Sequence, residues 1–254
     1  MLVDSHAHLD EGAVAAFVGS IKARREPVLV LSNSVDMSSS LRNLEIAKTS
    51  QFVKAFVGLH PEVFSKFSGT RADIEGLISE AEEIAKLYDL ASGIGEIGLD
   101  PKYGFFTEQK KLLQSILASA ERTALPVSIH SRESVTILLD LISTYDIRGK
   151  ILFHWFAGSE QDFAAIQDRG YYSSFGPSIL FSNRLSRLVE KGDLHLILPE
   201  TDSPTPYRSL VDGPSSPDLV ASVEFKIALL RKLSFEDACI ALEKNIMIYL
   251  GTQN

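Results

Sequence analysis

The first ten residues, MLVDSHAHLD (1–10), join a short apolar run to two histidines that are one residue apart. Successive side chains of a β-strand point to opposite faces, so His6 and His8 are predicted to point to the same side. Imidazoles that face a barrel interior either bind a metal ion or are buried without a compensating partner, which costs free energy. The rest of the chain decides between these two interpretations.

Apolar, β-rich runs recur along the chain, and stretches of helical spacing lie between them. The predicted strands are 1–5, 27–32, 52–58, 90–95, 126–130, 150–154, 171–175 and 194–200. Helical spacing is found, for example, at 12–25, 71–88, 108–123, 132–145, 160–170 and 183–192. Eight strands alternating with helices over 254 residues predict an α/β protein, a (β/α)8 TIM barrel in a single domain (1–254). A doubly wound open sheet is the competing architecture, but no glycine-rich phosphate loop favours it.

Two segments near the C-terminus have recognisable roles in such a barrel. Residues 201–220 are rich in Pro, Ser and Gly, which predicts a long loop over the mouth of the barrel. The stretch 234–251 is predicted to form a closing helix that starts with a capping motif, with Ser234 as the N-cap and Asp237 three residues later. Cys239, the only cysteine, excludes an internal disulfide and a cysteine-based zinc site, and is expected to be a structural thiol on a buried helix face.

Composition and charge exclude several classes of protein. No apolar run reaches the roughly 18 residues that span a bilayer, and the N-terminus does not resemble a signal peptide, so we expect a cytoplasmic protein without a membrane partner. Nothing in the sequence points to an obligate protein partner. A net charge of −8 argues against a basic nucleic-acid-binding module. It does not exclude an enzyme that acts on phosphates, because bound divalent cations would dominate the local charge.

Six polar residues are predicted to project from the C-terminal rim of the barrel, where barrel enzymes build their sites. Each ends a predicted strand: His6, His8, Glu96, His130, His154 and Asp202. A lone histidine at a strand end is more often a satisfied or solvent-facing residue than a metal ligand. Such residues at the ends of five predicted strands are hard to explain by chance, and this favours the interpretation that they are ligands. Four imidazoles and two carboxylates exceed one tetrahedral zinc site, whereas a bridging carboxylate lets two divalent ions share them.

The motifs that carry these residues also resemble a known family. In chain order, DSHAHLD, GLHP, GEIGLD, LPVSIHSRES, FHWFAG and LPETDSP are similar to the successive motifs of the TatD family of metal-dependent deoxyribonucleases, over nearly the whole chain. The resemblance implies that His6, His8 and Asp202 hold one ion, that His130 and His154 hold the other, and that Glu96 bridges them. The mixed nitrogen and oxygen ligands admit Mg²⁺, Mn²⁺ or Zn²⁺.

The expected reaction is hydrolysis of phosphodiester bonds, in an exonucleolytic mode on single-stranded DNA or 3′ ends. Two ions can lower the pKa of a shared water and neutralise charge on the phosphate, and Asp202 is the candidate acceptor of the water's proton, with Glu96 as the catalytic bridge.

His60 and Arg132 are expected to contact substrate phosphate. The alternatives are that His60 caps the loop before Pro61 and that Arg132 forms a surface ion pair. His195 enters the eighth strand from the opposite end and is expected to be structural.

Two departures from the family pattern leave the substrate open. Trp155 stands where family members commonly have cysteine; it could stack on a base, but packing at the rim is the favoured role. The loop 203–217 keeps Arg208 and lacks the family's Asn-Glu pair. A second hypothesis is therefore a binuclear-metal amidohydrolase or lactonase acting on a small C–N or C–O substrate, and a third is a barrel that has lost catalysis.

Overall fold

Eight strands form one parallel sheet in chain order in the computed structural model, which describes residues 1–23, 27–208 and 210–252. Each strand pairs with the next. The strands are β1 (Leu2–Ala7), β2 (Val28–Ser32), β3 (Val53–Val57), β4 (Gly93–Leu99), β5 (Val127–Ser131), β6 (Ile151–Phe153), β7 (Tyr172–Phe175) and β8 (Ile197–Pro199). The predicted (β/α)8 barrel is thus confirmed. Residues 24–25 of the first predicted helix, residue 209 of the 203–217 loop and the last two positions of the predicted domain fall outside the described residues.

Helices follow the strands and cover the outside of the sheet. In the described ranges they are α1 (Ala15–Ser20), α2 (Met37–Thr49), α3 (Arg71–Ala85), α4 (Phe106–Ala120), α5 (Val135–Ile142), α6 (Glu160–Gln167), α7 (Asn183–Lys191), α8 (Val220–Arg231) and α9 (Phe235–Tyr249). Short 3-10 turns lie at Gly12–Val14, Ile21–Ala23, Pro61–Lys66, Tyr88–Leu90, Pro101–Tyr103, Pro177–Leu180, Leu194–Leu196 and Pro217–Leu219. None of the described helices is long and apolar enough to cross a membrane.

The helices attach to the sheet through apolar faces. In α5 the buried residues Val135, Leu138, Leu139 and Ile142 are three or four positions apart, which places them on one side of the helix. At the end of α9, the buried ring of Tyr249 packs against Tyr172 of β7, with 5.5 Å between the ring centroids. Burial of these faces removes apolar surface from water, and this holds the helical layer on the barrel.

The barrel closes between β1 and the chain that follows β8. The amide of Asp202 donates to the carbonyl of His6 (2.8 Å), and the amide of His8 donates to the carbonyl of Ser203 (2.7 Å). The hydroxyl of Ser5 donates to the carbonyl of Pro199 (2.9 Å). We call this junction of β1 with residues 199–203 the barrel seam, and it places Asp202 beside the first strand.

Several element boundaries differ from the predicted ones. β1 continues to Ala7, so His6 lies within the strand rather than at its end. Glu96 is the fourth of seven residues in β4, because the strand starts at Gly93, after the turn Tyr88–Leu90, and continues to Leu99. β8 begins at Ile197 instead of 194, because the Asp193 side chain accepts from the amide of His195 and caps a 3-10 turn over Leu194–Leu196.

Two other helical features also bear on the predictions. The helix α2 was not among the segments named from the sequence; its mean hydropathy is low, and its start is set by a capping box in which Asp36 accepts from the amide of Ser39. The closing helix α9 starts as predicted, with the Ser234 side chain accepting from the amide of Asp237. Cys239 on this helix is a free thiol that is half-buried, not fully buried.

Candidate metal centre

A cavity of about 1310 Å³ opens at the carboxyl ends of the strands, where the sequence predicted the site. Five of the six predicted ligands line it, and the sixth, His6, is fully buried directly behind them. The residues come from β1, β4, β5, the chain after β6 and the chain after β8. The barrel therefore brings together all six residues that were singled out from the sequence.

Glu96 lies at the centre of this cluster, and both of its carboxylate oxygens face imidazoles. Its Oε1 is 2.6 Å from Nε2 of His154, 2.8 Å from Nδ1 of His130 and 3.3 Å from Nε2 of His60. Its Oε2 is 3.2 Å from Nε2 of His6 and 3.6 Å from Nε2 of His8. A carboxylate with ligands on both oxygens has the geometry that a bridge between two ions requires.

The backbone of β4 explains how a residue from the middle of a strand reaches the mouth of the barrel. The pairing of β4 with β5 changes register between Ile94 and Ile97. At this point the amide of Glu96 donates instead to the carbonyl of Ser34 (2.7 Å), beyond the end of β2. Gly58 is needed beside it, because a Cβ there would lie 2.5 Å from the carbonyl carbon of Gly95. The local irregularity turns the Glu96 side chain toward the imidazoles.

Asp202 lies across the barrel seam from His6 of β1 and from His8, which directly follows this strand. Its Oδ1 lies 3.3 Å from Nε2 of His8 and 3.6 Å from Nε2 of His6. Burial alone would raise the pKa of Asp202, but the hydrogen bond and charge of His8 outweigh it and lower the pKa below its usual value. The Asp202 carboxylate is therefore ionised at neutral pH.

Hydrogen bonds on the far side of the imidazole rings fix which nitrogen faces the cluster. Nδ1 of His8 donates to the carbonyl of Asn33 (3.1 Å), and Nε2 of His130 donates to Oδ2 of Asp100 (3.0 Å). When such a ring is neutral, the nitrogen that does not donate presents its lone pair to the cluster, which is the form that binds a metal ion. Asp100 was not among the predicted site residues.

Buried nitrogens without hydrogen-bond partners test whether this donor set suits metal ions. Within the described residues, Nε2 of His6, Nε2 of His60 and Nδ1 of His154 are such atoms. Leaving buried polar atoms unpaired costs free energy unless a ligand uses them, so the first two, which face Glu96, are suited to cations. Three triads have ligand atoms within 4.8 Å of one another: His6, His154 and Asp202; His6, His8 and Glu96; and His60, Glu96 and His130. The cluster can hold a metal.

Two buried acids that the sequence analysis did not select support the centre from behind. Oε2 of Glu200 accepts from the Ser174 hydroxyl (2.6 Å) and lies 3.8 Å from Nδ1 of His154. Burial, reinforced by the charge of Asp202, raises the pKa of Glu200 well above its usual value. Asp4 accepts from the amide (2.9 Å) and the hydroxyl (2.6 Å) of Thr201 and so ties β1 to the seam.

The two residues expected to contact phosphate lie in different environments. His60 is buried; its Nδ1 accepts from the amide of Glu62 (3.1 Å), which is the capping role, while its Nε2 faces Glu96. The Arg132 side chain is 56% exposed at the rim, and its Nε is 3.5 Å from Oδ2 of Asp100. Arg132 thus forms the ion pair of the alternative interpretation and still lines the cavity. His195 is exposed in the turn before β8, at the opposite end of that strand from Asp202.

The residues that depart from the family pattern also line the cavity or its edge. Trp155 is half-buried in the cavity wall, and its ring centroid is 5.9 Å from that of Tyr207 in the loop after Asp202. Thr205 in this loop donates its hydroxyl to Oδ2 of Asp202 (3.1 Å). The divergent loop is therefore in contact with the cluster, although Arg208 itself is exposed.

Comparison with known proteins agrees with this site. The family model described as TatD related DNase matches residues 3–251. An uncharacterised metal-dependent hydrolase of Methanocaldococcus jannaschii is 26% identical, with 96% of this chain and 94% of that protein covered. Human deoxyribonuclease TATDN3 is 27% identical, with 97% and 93% covered. A Salmonella typhimurium protein named 3'-5' ssDNA/RNA exonuclease TatD is 28% identical, with 87% and 85% covered.

Solved structures show the same architecture. The crystal structure of YjjV, a TatD homologue of Escherichia coli, superposes with a TM-score of 0.84 at 25% identity, and the match covers 99% of this chain and 98% of that one. The likeness therefore extends over the whole barrel, including every strand that contributes to the metal-binding cluster.

Proposed function

The chain belongs to the TatD-related DNase family, and from this premise we propose that it is a divalent-metal-dependent deoxyribonuclease that removes nucleotides from the 3′ ends of single-stranded DNA. The predicted class, a metal-dependent hydrolase of this family, agrees with the family match and with the relatives' names. The observation that carries the proposal is Glu96, whose two oxygens face imidazoles from opposite sides. The preference for single-stranded 3′ ends is supported only by the name of the Salmonella relative.

We assign two ions to the cluster, one held by His6, His8 and Asp202 and the other by His130 and His154, with Glu96 shared. When bound, divalent cations polarise the phosphate and lower the pKa of a bound water. Mg²⁺, Mn²⁺ and Zn²⁺ all suit this donor set. His60 lies near enough to Glu96 and His130 to be either a further ligand or the phosphate contact first expected.

The chain's own groups bind and orient the substrate and move the proton. Asp202 is ionised at neutral pH, so it can accept the proton of the attacking water. Arg132 is exposed at the rim and offers a guanidinium to a non-bridging phosphate oxygen. We also infer a single catalytic domain and a cytoplasmic location, which the composition favours.

A cleavage assay tests the proposal. Purified protein is incubated with single-stranded DNA in Mg²⁺ or Mn²⁺, and we expect metal-dependent release of nucleotides from the 3′ end. Asp202→Asn should lower the rate by at least about 100-fold, because it removes the proton acceptor and a ligand charge. Asp212→Asn, an exposed aspartate of the same loop, is the matched control and should retain the wild-type rate.

Two results would contradict the proposal. One is no metal-dependent product from DNA, and the other is equal activity of Asp202→Asn and the wild type. A parallel assay with a small amide and a small lactone measures the alternative hydrolase activity, which the same cluster could support on a carbonyl carbon. Turnover of these compounds without DNA cleavage would favour that alternative.

A further inference from the structure

Trp155 lies in the cavity wall beside the metal-binding cluster, and the ring of Tyr207 from the loop after Asp202 lies next to it. Trp155 follows His154, and both Trp155 and His154 line the cavity. The rings of Trp155 and Tyr207 are 5.9 Å apart with a tilt of 36°. We propose that the ring of Trp155, backed by Tyr207, is a stacking platform for a nucleobase of the strand whose phosphodiester lies at the cluster. This proposal extends the proposed nuclease function and rests on it for the identity of the reaction.

The backbone directs Trp155 into the cavity, away from the core. Its φ is +41°, a conformation that bulky residues rarely adopt. The next residue, Phe156, is 1% exposed and packs against Phe163 and Phe175, so the core position at this bend is already taken. The indole of Trp155 is half-buried, which leaves part of its ring surface facing the cavity. The platform would add to the packing role that the sequence favoured, since the Trp155 ring also contacts Tyr207.

Hydrogen bonds fix the loop that carries Trp155. The amide of Trp155 donates to the Ser174 hydroxyl (3.2 Å), which in turn donates to Glu200. On the other side, the guanidinium of Arg184 donates to the carbonyls of Ala157 (2.9 Å) and Gly158. A ring on a rigid loop loses little conformational entropy when a ligand stacks on it.

Tyr207, whose ring lies next to that of Trp155, is fixed independently by the chain that leads to Asp202. Its hydroxyl donates to the carbonyl of Thr201 (2.8 Å), one residue before Asp202. The polar end of the side chain is therefore occupied, and the ring face is the part that remains for contact. An immobilised Trp155 ring, backed by Tyr207 and next to a phosphodiester-cleaving centre, matches a nucleotide, because every base has a π face that stacks on aromatic side chains.

The size of the cavity favours an oligonucleotide over a small phosphoester. Its volume of about 1310 Å³ exceeds the roughly 300–1,000 Å³ of common small-molecule pockets. The net charge of −8 gives the protein little general attraction for nucleic acid, so local contacts must hold the strand. Base stacking is such a contact, and it does not depend on the charge of the protein.

Trp155 is the only tryptophan of the chain, so tryptophan fluorescence reports on this ring alone. The Asp202→Asn variant in Mg²⁺ is titrated with a five-residue oligothymidylate, and binding is followed in parallel by anisotropy of a 5′-dye on the oligomer. The comparison oligomer has the same length and charge but is fully abasic. We expect saturable quenching by the oligothymidylate, with no quenching and about tenfold weaker binding for the abasic oligomer.

A kinetic comparison separates stacking from an indirect effect on His154. The ratio of kcat/KM for intact and abasic oligomers should fall about tenfold in Trp155→Ala and return toward the wild-type ratio in Trp155→Phe. Phe225→Ala, which removes an exposed aromatic of α8 outside the cavity, should leave the ratio unchanged. An equal loss on both oligomers in Trp155→Ala would overturn the platform, because it would indicate a disturbed metal centre.

The outcomes distinguish the platform from the nuclease proposal. If the oligothymidylate binds by anisotropy without quenching, or if both oligomers quench equally, the platform is wrong and the nuclease proposal stands. If quenching is specific for the oligomer with bases but the wild-type protein cleaves no DNA, the platform stands and the nuclease proposal is wrong. If neither oligomer binds the variant, the platform is wrong, and cleavage by the wild-type protein decides the nuclease proposal.

Discussion

Asp100 controls which nitrogen of His130 faces Glu96. Its Oδ2 accepts from Nε2 of His130, while its Oδ1 accepts from the amide of Lys102 (2.9 Å). Both oxygens are thus used, one for the ring and one for the turn after β4. An acid that holds a ligand in this way sets the tautomer and raises the basicity of the nitrogen that meets the metal.

Replacing Asp100 by Asn should therefore weaken metal binding while leaving the turn intact. The amide keeps the oxygen that caps Lys102, but its NH₂ group faces the N–H of His130, which favours the wrong tautomer. We expect a 10–100-fold loss in metal affinity, measured by calorimetric titration with Mn²⁺, and a cleavage rate that recovers at high Mn²⁺. Asp140→Asn, an exposed aspartate on α5, serves as the control. Unchanged affinity in Asp100→Asn would refute the role assigned to this residue.

The sequence was sufficient to select the six residues that meet around Glu96, because each follows a predicted strand and the barrel rim collects strand ends. Their assignment as ligands stays a prediction. Asp100 and Glu200 lie in the same motifs, GEIGLD and LPETDSP, and were not selected. Which acid faces the cluster and which faces the back of an imidazole depends on strand register, and the register shift at Glu96 cannot be read from residue spacing.

At the scale of elements, α8 is attached to β1 through a buried acid. Oε1 of Glu224 accepts from the amide of Val3 (2.8 Å), and the side chain is fully inaccessible to solvent. Burial raises the pKa of Glu224 to about 7, although the hydrogen bonds of Cys239 and Val3 oppose the shift. Val3 lies near the amino-terminal end of β1, remote from the metal-binding cluster at the other end of the barrel.

The raised pKa predicts a pH-dependent stability. Folded protein binds the Glu224 proton more tightly than unfolded protein, so the free energy of unfolding should fall as the pH rises from about 4.5 to about 7. Glu224→Gln removes this contribution and still accepts from Val3. Relative to wild type, the variant should gain up to about 3 kcal/mol between pH 4.5 and pH 8 in urea denaturation. Glu236→Gln, exposed on α9, should show no such gain; an equal difference at both pH values would contradict the prediction.

Element order could be predicted from the sequence, whereas element ends could not. Alternation of apolar runs and helical stretches identifies eight strands because each must be buried under a helix. The ends depend on local hydrogen bonds instead: Asp193 turns residues 194–196 into a 3-10 turn, and the seam extends β1 to Ala7. The start of helix α2 also could not be predicted from apolar spacing. Its apolar pattern is weak, and its start is specified by the capping box instead.

For the whole molecule, we expect the negative charge to make the proposed binding of DNA depend on bound cations. The protein carries a net charge of −8, and Arg132 and Arg184 are the arginines among the residues that line the cavity. Most of the attraction for phosphate must therefore come from the metal centre.

Removing divalent cations with EDTA should abolish cleavage and weaken binding of single-stranded DNA by at least about tenfold, as measured by fluorescence anisotropy. With Mg²⁺ present, the logarithm of the affinity should fall with the logarithm of the NaCl concentration with a slope no steeper than about −2, since few phosphates are neutralised by side chains. Equal affinity with and without divalent cations would show that side chains alone hold the strand.

The barrel seam also has a consequence for biosynthesis. Asp4 and Thr201, which bond across it, are 197 residues apart in the chain. At typical rates of ribosomal elongation, roughly 10–40 s separate the synthesis of these two residues. Throughout that interval His6 and His8 have no Asp202 beside them. A nascent chain therefore cannot assemble the complete centre, and nuclease activity arises only after the eighth strand has left the ribosome and the barrel has closed.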